Sequence, residues 1–168
     1  MATPLDITAL ETSFDLVAAR REELVDRFYR RLFRDAPATR ALFAHADMRA
    51  QKRALLGALV ALRRSLRDLS SIAPFLADLG ARHARYGVSA EHYPVVGAAL
   101  LETMAEVGGA AWQPFFTSEW ARAYQMVAHI MSTAPSGPPL RHDDEARTSI
   151  TDLRRQPSSP ARIQCHVG

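Results

Sequence analysis

The chain has 168 residues, 48% of them apolar, with 23% charged, a net charge of +3 and a single cysteine. That is enough apolar material for the core of one ordinary domain, and too much for a disordered chain. Cys165, three residues from the end, excludes an internal disulfide framework or a thiolate metal cluster, and the arginines are interleaved with acids, as in "ARREELVDRFYRRLFRD", which reads as solvated helix faces rather than as a nucleic-acid surface.

The opening "MATPLDITALE" carries acids at Asp6 and Glu11 and no continuous apolar segment. Neither a secretory signal nor a membrane span is expected, and a cytoplasmic location follows. From there to Ala134 the apolar residues recur at helical spacing and no sustained two-residue alternation occurs, so the predicted fold class is all-α. Helices are expected over 6–19 and 21–34. A short one follows in "DAPATRALF", with Asp35 as its cap and Pro37 in its first turn, ending at Phe43.

Asp47 is placed to cap the next helix, 47–66, whose stripe runs Met48, Leu55, Leu59, Leu62, Leu66. Gln51 lies on that stripe. An amide among leucines must reach solvent or find a partner, because leaving it buried and unpaired costs ~1–3 kcal/mol. A helix over 72–84 starts after Ser70-Ser71 and presents Leu76, Leu79 and His83 on one face, with Gly80 opening room for a close approach. Gly87 and Ser89 end it and cap a helix over 90–107. A last helix, 113–133, is expected to bury Phe116, Trp120, Ala123, Val127 and Ile130.

Five of the ten prolines fall after residue 134, among serines and charges. The domain is therefore expected to span 1–134 and residues 135–168 to form a disordered tail.

Two polar residues, Gln51 and His83, thus interrupt apolar stripes on two helices joined by a short connection. If the stripes line one cavity, with Phe43 and Leu55 beside them, the layout suits a flat apolar cofactor with a metal at its centre. An imidazole supplies one nitrogen to iron while the other is held by an acceptor, and Gln51 and a tyrosine supply donors opposite. Haem fits better than zinc, which needs three or four ligands. Two separately satisfied core residues remain the alternative on these observations.

The segments "FYRRLFRDAPATRALF", "AQKRALLGALV", "DLGARHARYGVSAEHYPVVGAALLETM" and "EWARAYQMVAHIM" resemble, in order and spacing, the bacterial single-domain globins and the globin domain of flavohaemoglobins over roughly residues 5–134. The resemblance implies a three-over-three globin fold holding haem b. It implies His83 as the iron ligand, Phe43 on the porphyrin face, and Tyr29 and Gln51 as distal donors to bound oxygen. Leu55 then lines the distal side, and Val88, Tyr93 and Val96 the proximal side. Arg82 and Arg85 flank His83 and could reach the haem carboxylates, while His45 sits in a loop near the pocket mouth.

What the resemblance implies for function is reversible binding of oxygen, nitric oxide and carbon monoxide. Nitric oxide dioxygenase chemistry is a further expectation, with Tyr29 as the catalytic donor. No Gly-rich dinucleotide fingerprint occurs, so electrons are expected from a separate reductase. A sensing or interaction module that signals through a partner is the alternative. One departure stands out. Where flavohaemoglobins carry a glutamate late in the last helix, tied to the proximal histidine, an ungapped match puts Pro135 here, and no acid occurs between Glu119 and Asp143.

Overall fold

A computed structural model of the chain describes residues 4–134. The expected tail, 135–168, with Pro135, His142, Cys165 and His166, lies outside the described residues. Six α-helices follow one another: α1 (Ile7–Ala18), α2 (Arg21–Asp35), α3 (Met48–Ser65), α4 (Leu69–Arg85), α5 (His92–Gly108) and α6 (Pro114–Ser132). Short 3-10 helices occupy Pro37–Phe43 and Gly109–Ala111, and there is no strand among the described residues.

The helix starts follow side-chain capping. Asp6 accepts from the N–H of Ala9 at 2.9 Å, and Asp47 accepts from that of Arg49 at 2.9 Å, as its position predicts. Two expected boundaries move. Asp68, not the serine pair, caps α4, accepting from Ser71 N–H at 3.3 Å and from the Ser70 hydroxyl at 2.5 Å, so the helix begins at Leu69. Pro74 then lies inside the helix and removes one backbone donor from it. Asp35 does not cap the 3-10 helix; it closes α2 and pairs with Arg34. Gly87, at φ +89°, ends α4 as expected, but α5 starts at His92, whose ring nitrogen Nδ1 accepts from the Ser89 N–H at 2.9 Å.

The main core joins Leu10, Phe14, Leu24, Phe28, Leu100 and Trp120, drawn from α1, α2, α5 and α6. Its buried polar groups are satisfied: the Trp120 indole donates to the Ser13 hydroxyl at 2.8 Å, which donates to the Ala9 carbonyl at 2.7 Å. A satellite cluster of Ile72, Leu76 and Met131 joins α4 to α6. Val127 and Ile130, expected in the core, are only half-buried, and the buried acid Glu119 was not foreseen. It accepts from Asp6 N–H at 2.7 Å and from Arg122 at 2.7 Å, tying the start of α1 to α6.

α2 packs mainly on α5 and α4 mainly on α6, while α3 touches both α2 and α4. The α4–α6 crossing depends on Gly80: a Cβ there would lie 2.1 Å from the Met131 carbonyl oxygen. This is the close approach that the glycine predicts, made by backbone. Gly57, on the open side of α3, has nothing within 4 Å of such a Cβ.

Gly80→Ala is therefore expected to destabilise the protein by about 1–3 kcal/mol, the range for overpacking a tight contact. Gly57→Ala, which only removes backbone freedom from an exposed helix, should stabilise by about 0.5–1 kcal/mol. Urea unfolding of both variants checks the opposite signs.

Candidate functional site

The site is built on α2, the 3-10 helix that follows it, and helices α3 and α4. On α2, Tyr29 points inward and is 4% exposed. Its hydroxyl faces the Gln51 side chain, so the amide on the α3 stripe and the phenol form one polar pair. Burial pushes the phenol up to about 12, and Gln51 opposes only part of that. Phe43, the last residue of the 3-10 helix, meets Tyr29 edge-on at 5.7 Å between ring centroids and Phe33 at 5.4 Å. Arg40 caps this aromatic group, 5.2 Å over the Phe33 ring.

The α3 stripe divides along its length. Leu59, Leu62 and Leu66 are buried in the core, while Met48, Gln51 and Leu55 toward the N-terminus are half-buried at its margin. Tyr29, Phe43, Gln51 and Leu55 thus form one wall, with a single polar pair on an apolar surface.

His83 stands apart from that wall, in the last turn of α4. Its Nδ1 lies 2.8 Å from the Leu79 carbonyl oxygen, one turn back. Against an acceptor-only carbonyl, Nδ1 must carry the proton, which leaves the Nε2 lone pair directed away from the helix. Burial, aided by the neighbouring Arg82 charge, lowers the His83 pKa against the opposing pull of the Leu79 bond and favours the neutral ring. Val88 donates its N–H to the His83 carbonyl at 3.0 Å, so the turn at Gly87 folds back under the histidine. Tyr93 packs with Leu79 in the satellite cluster, and Val96 packs at the margin of the main core.

The two groups meet where the α4 turn touches the 3-10 helix. The side chain of Leu42, next to Phe43, comes within 3.7 Å of a Cβ placed on Gly87. Arg82 and Arg85 flank His83, and the Nε of each is buried without a hydrogen-bond partner. Unpaired buried guanidinium donors suit carboxylates, which is what a haem presents at its edge. A flat apolar group bearing two carboxylates and an iron therefore fits the donor set on observations of this structure. His45 lies just beyond the 3-10 helix and is exposed.

One contributor was missed from sequence. Tyr124 on α6 lays its ring over Gly97, where a Cβ would fall 2.5 Å from the ring, and donates its hydroxyl to the Tyr93 carbonyl at 2.7 Å. Burial raises the Tyr124 pKa. The Gly97 and Tyr124 pair, a glycine opposite an aromatic on an adjacent helix, is the only local signal for it.

The fold and this arrangement belong to a helical gas-binding class. Residues 26–131 match the globin family model, and the chain belongs to the globin family, whose fold implies a haem. It is 30% identical over 124 residues to a flavohemoprotein of Bacillus subtilis, covering 73% of this chain and 31% of that protein. To one of Rhizobium meliloti it is 34% identical over 111 residues, covering 65% and 28%. The chain thus spans about a third of the length of these flavohemoproteins. Among solved structures, an engineered carbene transferase from Rhodothermus marinus, provisionally designated a nitric oxide dioxygenase, superposes with a TM-score of 0.71 at 28% identity, covering 79% of this chain and 92% of that one. A Pseudomonas aeruginosa protein described as structurally highly homologous to a human hemoglobin gives 0.69 at 26%, covering 78% and 98%. No helix among the described residues is long and apolar enough to cross a membrane.

The buried phenol has a consequence at high pH. Tyr29 titrates near 10 when unfolded and near 12 when folded, so the folded state holds the proton longer. Its contribution is whole below pH 10 and is lost as pH rises from 10 to 12. Tyr29→Phe should flatten this alkaline loss by about 1 kcal/mol, measured by urea unfolding of the haem-free protein at pH 9 and 11.

Proposed function

We propose that this globin binds oxygen reversibly at a haem held by His83 and oxidises nitric oxide to nitrate with electrons from a separate protein. The observation that carries the proposal is the buried Tyr29–Gln51 pair set against Phe43 on an otherwise apolar wall.

Haem, when bound, supplies an iron centre that takes diatomic gases and changes between ferrous and ferric states. The rest is the work of the chain. His83, kept neutral by burial and fixed by Leu79, would hold the iron through its Nε2. Phe43, braced by Tyr29 and Phe33, offers a rigid ring face for the porphyrin. Leu55, Val88, Tyr93 and Val96 exclude water from its two sides. Arg82 and Arg85 bring their unpaired Nε donors to its carboxylates.

Tyr29 decides the chemistry. With a pKa near 12 it remains a protonated donor at every physiological pH. A Gln51 amide that donates to the phenol oxygen leaves the phenol proton free to point at a bound gas. Donors held in place in a dry site stabilise negative charge that develops there, which slows oxygen release and favours transfer of oxygen to nitric oxide. The flavohemoproteins that resemble this chain, and the Rhodothermus marinus structure with its dioxygenase designation, support the same reading.

His83→Gly should abolish haem retention, with added imidazole restoring it in part. An unchanged ferrous spectrum in that variant would remove His83 from the ligand role. Tyr29→Phe combined with Gln51→Leu should release oxygen roughly tenfold faster, the equivalent of one net hydrogen bond of ~1–1.5 kcal/mol. Sustained nitric oxide consumption with a reductase present tests the turnover. Oxygen binding that persists without such turnover would make the protein a binding module only.

A further inference from the structure

The corner between α4 and α5 is closed by a histidine in a place where helices more often carry an acid or an amide. In a capping box a serine or threonine is followed three residues on by a Glu or Gln, whose side chain reaches back to accept the backbone N–H of the first. The turn leading into α5 has the same spacing, with Ser89 first and His92, the opening residue of α5, in the acceptor's place. The His92 N–H donates to the Ser89 carbonyl at 3.1 Å, and the Ser89 N–H donates to His92 Nδ1 at 2.9 Å. A backbone N–H is a donor only, so Nδ1 must carry a lone pair and the ring proton must sit on Nε2. This is the reverse of His83, whose Nδ1 faces a carbonyl and carries its proton.

A histidine accepts at Nδ1 only while neutral, because both nitrogens of an imidazolium are donors. The surroundings hold a place for the added proton. The Ser89 hydroxyl lies 2.8 Å from the same Nδ1 and 3.2 Å from a Glu91 carboxylate oxygen. On protonation Nδ1–H donates to Ser89 Oγ, Oγ–H donates to Glu91, and the Ser89 N–H loses its acceptor. The ring stays and the backbone lets go. The other charged or titratable groups around this corner are Arg82 and Arg85 in the last turn of α4, and Tyr93 with His129, which line the groove between α5 and α6. All of them stay unchanged in the variants below.

The released amide is next in the chain to the one that holds His83. Val88 N–H donates to the His83 carbonyl at 3.0 Å and Gly87 N–H to that of Ala84 at 3.0 Å, with Gly87 at positive φ turning the chain between them and Ser89. We propose that His92 is a proton-operated latch on this corner. Neutral, it fixes the segment 87–89 under His83; protonated, it frees that segment and loosens the seat of the histidine. The consequence for haem rests on the reading of His83 as the iron ligand, whereas the latch itself does not.

The test is nitrogen NMR and amide hydrogen exchange on the isotope-labelled full chain, in its diamagnetic carbon monoxide form, between about pH 7.5 and about pH 5.5, a span in which histidines commonly change charge. As pH falls, the His92 Nδ1 resonance should pass from that of an unprotonated nitrogen to that of a protonated one. Along the same curve the exchange protection of the Ser89 amide, corrected for its intrinsic rate, should fall about fivefold, the equivalent of one cap bond of ~1 kcal/mol. His92→Ala, with no acceptor, should show at the higher pH the low Ser89 protection that the wild type shows at the lower. Haem transfer from the ferric protein to excess apomyoglobin should accelerate with acid about threefold more in the wild type than in His92→Gln. Glutamine keeps the acceptor and does not titrate, and whatever His83 itself contributes is common to both proteins. An Nδ1 that already carries a proton at about pH 7.5, or a Ser89 amide indifferent to the His92 titration, overturns the latch. Equal acceleration of haem loss in wild type and His92→Gln overturns its link to His83. A chain that takes up no haem sinks the gas-binding reading instead, and the same ring and amide signals measured on it still decide the latch.

Discussion

The arrangement of the site depends on one backbone contact, the crossing of α4 over α6 at Gly80. With the Met131 carbonyl oxygen where a side chain would begin, the two helices lie as near as their main chains allow. That closeness fixes the height of everything after Gly80 on α4. His83 follows by three residues, Leu79 precedes by one, and the bond between them orients the ring. Met131 also belongs to the small cluster that includes Ile72, Leu76 and Tyr93. Tyr124, two turns earlier on α6, holds the Tyr93 carbonyl. The histidine, the tyrosine below it and the last helix are therefore one mechanical unit.

The distal wall is built differently, from side chains. Phe28, Tyr29, Phe33 and Phe43 interlock at centroid distances from 4.9 to 5.9 Å, edge to face except for the tilted Tyr29–Phe33 pair. Such a group tolerates one hydroxyl only if something answers it, and Gln51 does. The two walls touch through Leu42 and the Gly87 turn.

Much of this was legible because the informative residues break a pattern. His83 and Gln51 stand out as polar intrusions on apolar stripes, and Gly80 as a missing side chain on the same face. Each intrusion has the kind of partner its chemistry requires, a carbonyl, a phenol and a backbone crossing. The partners themselves were not legible from spacing. Tyr29 occupies an ordinary position on the apolar face of α2, and only the resemblance to known globins marked it. Met131, Tyr124 and Glu119 act over 31 to 113 residues of sequence separation or against a bare glycine, which local pattern cannot encode. Cap residues were ambiguous for a related reason. Asp35, Asp47 and Asp68 are equivalent by residue type, and which one starts a helix depends on what the preceding helix has already claimed.

The two walls impose opposite demands that meet at the proposed iron. On the distal side of the proposed site, the phenol and the amide would lower the energy of a ligand that gathers negative charge. On the proximal side the acceptor facing Nδ1 is a neutral carbonyl, and the one acid in the described part of α6, Glu119, is spent on Asp6 and Arg122 at the far end of that helix. A carbonyl cannot draw the imidazole proton toward itself as a carboxylate would, so under the proposed ligation the ring stays neutral and pushes little electron density toward the metal. Weak push with strong distal stabilisation favours holding oxygen over breaking its O–O bond. Oxygen held in this way could be carried and released with the iron still ferrous, or both its atoms could pass to nitric oxide to give nitrate, and only the second outcome requires an electron donor to return the iron to the ferrous state.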